Sequence, residues 1–303
     1  WESEDEVTLI TRPRRFGKTL NMSMLECFFS NKYKDRGDLF EGLEIWNDEK
    51  YRKLQGTYPV IFLSFAGIKQ VKYNETVIKI KDELIRIYNE YDYIMKSGIY
   101  NANEKMQYQS VCVGMSDTVA QEALKNLSNY LSRYYGKKVI ILLDEYDTPM
   151  VSAYEGGYYD EVKNFCTGLF GSALKENPFL KKAVLTGIMR ISKENIFSGL
   201  NNVKVNSILE ENFAEYFGIT EKEVENSLRE YQLEERLPEV QKWYNGYNFG
   251  GVRVYNPFSI TNFLDRKRIM PYWVNTSSNS LINKVLREAN SLIFDELSKL
   301  FQR

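Results

Sequence analysis

Val7-Thr8-Leu9-Ile10-Thr11 runs straight into Arg12-Pro13-Arg14-Arg15-Phe16-Gly17-Lys18-Thr19, and from Lys18 the apolar spacing turns helical as far as Ser30. A buried strand, a short loop ending in Gly-Lys-Thr and an amphipathic helix together make the context in which a P-loop works. Backbone N–H groups at such a helix start form an anion cradle. Lys18 supplies a point charge for β- and γ-phosphates, the Thr19 hydroxyl suits magnesium, and Gly17 lets the backbone come close. Arg14, Arg15, Phe16, Gly17, Lys18, Thr19 and Leu20 are therefore the expected nucleotide-binding stretch. The loop departs from GxxxxGK[ST] at its start, where Arg12 replaces the first glycine and Pro13 has no amide to donate. The arginines either reach phosphate oxygens or form an ordinary solvated or ion-paired cluster.

Outward from this stretch, three more apolar runs stand out: Val60 to Phe65, Val139 to Leu143 and Ala183 to Ile188. Near-continuous hydrophobicity predicts strands buried on both faces. Helical segments over Asn74 to Lys96 and Thr118 to Tyr135 separate them, so the fold class expected is α/β, a three-layer parallel sheet covered by helices. A fifth strand is expected at Val203 to Ile208. Thr220 with Glu223 reads as a capping box, and Ile219 with Val224 as a hydrophobic staple, so a helix starts there. Residues 1–210 then form the core, 211–275 a mainly helical or winged-helix lid with a short strand at Val252 to Tyr255, and 276–303 the beginning of a further region.

The second motif is Val139-Ile140-Ile141-Leu142-Leu143-Asp144-Glu145, an apolar strand ending in two carboxylates. This is a Walker B pattern, in which Asp144 holds magnesium and Glu145 orients or deprotonates an attacking water. Asp147 either supports the metal's surroundings or starts the turn before Pro149. Thr186, at the end of the next strand, is the expected polar sensor beside the γ-phosphate. Arg190 senses phosphate, acts across a subunit boundary, or pairs with a carboxylate such as Glu194. The catalytic set read from the sequence is Lys18, Glu145, Thr186 and Arg190, with Thr19 and Asp144 on the metal.

Composition removes other classes. The 303 residues carry 40 basic and 41 acidic side chains, so no global field draws the chain to nucleic acid or anionic lipid. The absence of histidine excludes a Ser-His-Asp triad and histidine metal ligands. No apolar run reaches the roughly 18 residues of a membrane helix, and no signal peptide is visible, so a cytoplasmic protein without a membrane partner is expected. Cys27, Cys112 and Cys166 read as free thiols. The aromatic and glycine-rich Trp243 to Gly251 is either lid core or a platform for bases.

Taken together, L-I-T-R-P-R-R-F-G-K-T-L-N-M-S-M-L, V-I-I-L-L-D-E-Y-D-T-P, A-V-L-T-G-I-M-R-I, F-S-G-L-N-N and W-Y-N-G-Y resemble the bacterial AAA-ATPase-like family across nearly the whole chain. The resemblance implies ATP and Mg2+ as ligands. It also implies a short segment before the first strand and a C-terminal nuclease-like module of the PD-(D/E)XK type through which nucleic acid would be met. Neither is expected within these residues. Self-association into a homo-oligomer is a further expectation. The leading reading is an ATPase that switches its lid; the alternatives are a nucleotide-dependent scaffold with little hydrolysis and, behind it, a small-molecule kinase.

Overall fold

The computed structural model describes residues 1–175, 177–191 and 203–274. Five strands, β1 (Val7–Thr11), β2 (Val60–Ser64), β3 (Val139–Asp144), β4 (Leu180–Gly187) and β5 (Val203–Asn206), form one sheet in the order β2-β3-β4-β1-β5. Every pairing in it is parallel. The helices of the core are α1 (Lys18–Phe29), the short α2 (Glu44–Asn47) and α3 (Glu49–Arg52), α4 (Tyr73–Glu90), α5 (Ala102–Gln109), α6 (Asp117–Tyr135), α7 (Thr148–Gly156) and α8 (Tyr159–Leu174). The fold is the α/β class read from the sequence.

Strand β3 shows why its run is apolar throughout. Val139, Ile141 and Leu143 face the large cluster built with α4, α6 and α8, while Ile140 and Leu142 face Met22, Leu25 and Phe29 of α1. With period-2 alternation and a helix layer on each side, no position meets water. Helix α6 begins at Ser116, whose hydroxyl accepts from the Val119 amide, and ends at Gly136 in the left-handed conformation.

A smaller unit follows: β6 (Ile219–Thr220), α9 (Glu221–Glu230), α10 (Leu237–Tyr244), β7 (Asn245–Phe249), β8 (Val252–Tyr255) and α11 (Pro257–Arg266). The capping box at Thr220 is present, with Thr220 and Glu223 each accepting from the other's amide. The three strands form an antiparallel sheet in the order β6-β8-β7. Strand β7 was not expected from the sequence, although Tyr247 and Phe249 alternate with polar residues up to the turn at Gly250-Gly251. The expected sequence elements Phe197 to Asn202 and 276–303 lie outside the described residues, as does Glu194.

Candidate functional site

Sheet register assembles the site. Ser64 pairs with Asp144 across β2 and β3, while Leu143 pairs with Leu185 across β3 and β4. Ser64, Asp144 and Thr186 therefore stand level at the carboxyl ends of three neighbouring strands, with Thr11 opposite Gly187 on β1. Open parallel sheets present their ligand crevice at this end.

Asp144 is fully buried, and three hydroxyls converge on it. Thr19 Oγ1 donates to Oδ2 at 2.9 Å, Ser64 Oγ to the same oxygen at 3.2 Å, and Thr186 Oγ1 to Oδ1 at 2.7 Å. These bonds satisfy both carboxyl oxygens where burial removes them from water. Thr186 and Asp144 are both wholly buried and neither lines the cavity; of the three hydroxyls on that carboxylate only Thr19 does, so Thr186 does not stand at the cavity wall as a sensor would. Ser64 was not foreseen in the sequence; its signal is the one polar residue closing an apolar run.

The cavity itself measures about 730 Å³ and is walled by Arg14, Arg15, Gly17, Lys18, Thr19 and Leu20 on one side and by Glu145, Asp147, Thr148 and α7 on another. Lys69, Gln70 and Val71, which follow β2, complete the wall and had no sequence signal. Lys18 is almost entirely buried, and its Nζ donates to the carbonyls of Arg12 at 3.1 Å and Pro13 at 3.0 Å. Burial lowers its pKa, opposed by the charges of Glu145, Asp147 and Asp144. Helix α1 starts with no side chain capping its amides, and Gly17 stands before it at φ 72°. Those first-turn amides are ready donors for an anion.

Glu145 takes a left-handed conformation at φ 51°, which turns the chain sharply after β3. Its Oε2 accepts from the Thr148 hydroxyl at 3.2 Å. Asp147 is buried, and its Oδ2 accepts from the amides of Ile188 and Met189, both at 2.9 Å. Burial raises its pKa, while these amides and the charge of Lys18 act the other way. Its Oδ1 has no hydrogen-bond partner among the described residues, and a Cβ built on Gly187 would lie 2.7 Å from that atom. Glycine is required there by close approach.

Three arginines and a phenylalanine do not share one role. Arg14 lines the cavity; Arg15 lines it too, with its guanidinium 4.7 Å above the Phe258 ring of α11. Arg12 is completely buried and donates to the carbonyls of Thr11 at 2.9 Å, Asn206 at 3.0 Å and Phe213 at 3.0 Å. Burial pushes it down to about 10. It is not part of the cavity wall. Phe16, expected in the nucleotide-binding stretch, also turns its side chain away and packs among Ala214, Phe249 and Val254. Only its backbone remains on the loop. Arg190 is exposed and outside the cavity wall. Tyr247 and Phe249, from the aromatic stretch, pack on Phe16 in a cluster with Ala214 and Val254.

A Gly-Lys-Thr loop at the end of β1, an acidic residue at the end of β3 and an intervening β4 with a hydroxyl on that acid define a P-loop fold of the AAA type. The chain belongs to the AAA-ATPase-like family: the family model described as "Predicted AAA-ATPase" matches residues 1–197. It is also similar to an "Uncharacterized protein in vnfD 5'region" of Azotobacter chroococcum mcd 1, 27% identical over 283 residues, which are 92% of this chain and 49% of that protein. The chain thus spans about half the length of that relative. Among the described residues, no helix is long and apolar enough to cross a membrane.

Proposed function

We propose that this chain binds ATP with magnesium in the cavity at the carboxyl ends of β1, β3 and β4, hydrolyses it, and uses the cycle as a switch. The observation that carries the reading is the convergence of Thr19, Ser64 and Thr186 on Asp144, beside Lys18 and Glu145. A buried carboxylate with hydroxyl oxygens is a hard-oxygen donor set of the kind magnesium takes together with phosphate oxygens. Asp144 and Thr19 would hold the ion, and when bound it would neutralise charge on the phosphates.

The chain's own groups divide the remaining work. The amides at the start of α1 and the Lys18 ammonium bind phosphate oxygens. Glu145, at the cavity wall and fixed by Thr148, accepts the proton of the attacking water. Thr186 and Ser64 hold the Asp144 carboxylate in place. In longer proteins of the family, the switch would act on an attached module, with nucleic acid as the partner if that module is nuclease-like. A second reading, a scaffold that binds nucleotide with little turnover, is favoured by the loop start, where Arg12 is buried and Pro13 donates no amide.

Titration of a fluorescent ATP analogue, with and without magnesium, tests the site. Saturable, magnesium-dependent binding that Lys18→Ala removes is expected. Equal binding by both proteins sinks the reading. Phosphate release that Glu145→Gln abolishes while binding persists separates the ATPase from the scaffold.

A further inference from the structure

The loop that holds Lys18 is fastened to the lid by side chains that a glycine-rich loop would lack. Arg12 reaches the Phe213 carbonyl at 3.0 Å, and its guanidinium lies 5.4 Å from the Phe217 ring and 5.1 Å from the Phe249 ring. Phe16 is wholly buried with ring centroids 4.7 Å from Tyr247 and 5.1 Å from Phe249, both on β7. Gly218 brings the chain so close that a Cβ there would stand 3.0 Å from Val254 and 3.4 Å from Phe16. Arg15 rests on Phe258 of α11. Three of the five residues between β1 and Gly17 are thereby engaged with residues beyond β5.

The same loop carries the ligand-facing chemistry. Lys18 Nζ is bound to the carbonyls of Arg12 and Pro13, so the ammonium, the loop backbone and the anchored side chains are one connected set. The buried Nε of Arg12 has no partner among the described residues, while the guanidinium's other nitrogens hold three carbonyls. A rearrangement of residues 12–17 would break that set or carry β7 and β8 with it, because packed aromatic contacts are lost steeply with displacement.

We propose that Arg12 and Phe16 are positioning residues that make the β7–β8 hairpin part of the phosphate site: the hairpin holds the loop in shape for a polyanion, and occupancy of the loop is felt by the hairpin. The proposal rests on the nucleotide reading of the cavity and names the physical link of the switch. Linkage makes the effect reciprocal, so loosening the hairpin weakens binding by the factor with which binding tightens the hairpin.

The test uses the full chain and a non-hydrolysable ATP analogue with magnesium, and reads hydrogen exchange by mass spectrometry together with affinity. Tyr247→Ala removes the ring against Phe16 at a half-buried position, so it leaves the core of the lid filled; Phe16→Leu serves as the conservative partner. In the unaltered chain, exchange should slow in residues 12–20 and in residues 245–255. In Tyr247→Ala the loop response should persist, the hairpin response should vanish, and affinity should drop about 5-fold or more, the lower end of usual couplings. Phe16→Leu should retain most of both. A loop response without a hairpin response in the unaltered chain overturns the coupling alone. An unchanged hairpin response in Tyr247→Ala also overturns it. No response in either region overturns the nucleotide reading and the coupling with it.

Discussion

The two walls of the cavity are built on opposite plans. At the acidic end, side chains do the work: Asp144 gathers three hydroxyls, Glu145 leans on Thr148, and Asp147 pins Ile188 and Met189. At the loop end, the side chains of Arg12 and Phe16 point into the protein, and the cavity side is left to the first-turn amides, Lys18, Thr19 and the side chains of Arg14 and Arg15. Chemistry at a metal and a water needs particular carboxylates, whereas a phosphate cradle needs only amides in the right curve. Arg12 and Phe16 are therefore free for another task, which here is packing against the smaller unit.

That difference predicts different consequences for loss at each end. Glu145→Gln keeps shape and volume, so unfolding should be nearly unchanged while turnover falls about 100- to 10,000-fold, the usual worth of a positioned general base. Steady-state phosphate release and a thermal melt on the same sample check it. Phe16→Ala should lose stability first, and with it the shape of the loop. Truncating a fully buried phenylalanine costs about 3–5 kcal/mol, seen as a lower urea midpoint with the lid first to lose protection. Unchanged stability in Phe16→Ala would break the comparison, since the ring would then not be the anchor its packing indicates.

Gly187→Ala sharpens the acidic end. The added methyl would stand 2.7 Å from Asp147 Oδ1 and from Tyr146 Cε1, inside any allowed contact. Overpacking of this kind costs about 1–3 kcal/mol. Denaturant unfolding should show it, and turnover should fall further than stability alone explains, because Asp147 fixes the segment that follows Thr186. A variant as stable as the parent would mean that Asp147 moves aside freely.

How much of this was legible follows the same division. Lys18, Thr19, Asp144 and Glu145 are visible in sequence because their motifs combine a residue type with an element end; the structure puts Lys18, Thr19 and Glu145 on the wall of one cavity and Asp144 buried behind it, bonded to Thr19. The parallel sheet is visible because strands buried on both faces have no polar alternation. Ser64 escapes because a single serine at a strand end is common, and its role appears only when register sets it beside Asp144. Arg12 and Phe16 escape for a stronger reason: their partners Phe213, Tyr247 and Phe249 lie more than 200 residues away in sequence, and no local pattern encodes such a contact. The strand at Asn245–Phe249 is hidden by its glycine and asparagines, which disfavour strands until the hairpin pairing supplies a partner.

The smallest expected effect concerns Asp147 and pH. Burial holds its carboxyl above the ordinary value of 3.8, so the folded chain binds this proton more tightly than the unfolded chain does. Below the ordinary value both states are protonated and the site costs nothing. As pH rises past it, the unfolded state releases the proton first and gains relative to the folded one; the loss is complete once pH exceeds the raised value. Asp147→Asn removes the titration while leaving an oxygen to accept from Ile188 and Met189. The unfolding free energy of the parent, less that of the variant, should therefore decline from pH 4 upward and then level off. A difference that rises with pH instead would mean that Lys18 dominates, holding Asp147 as the anion. In that case the acidic wall would be bound to the phosphate loop by charge, and the contrast between the two walls would give way to a single ion-paired unit.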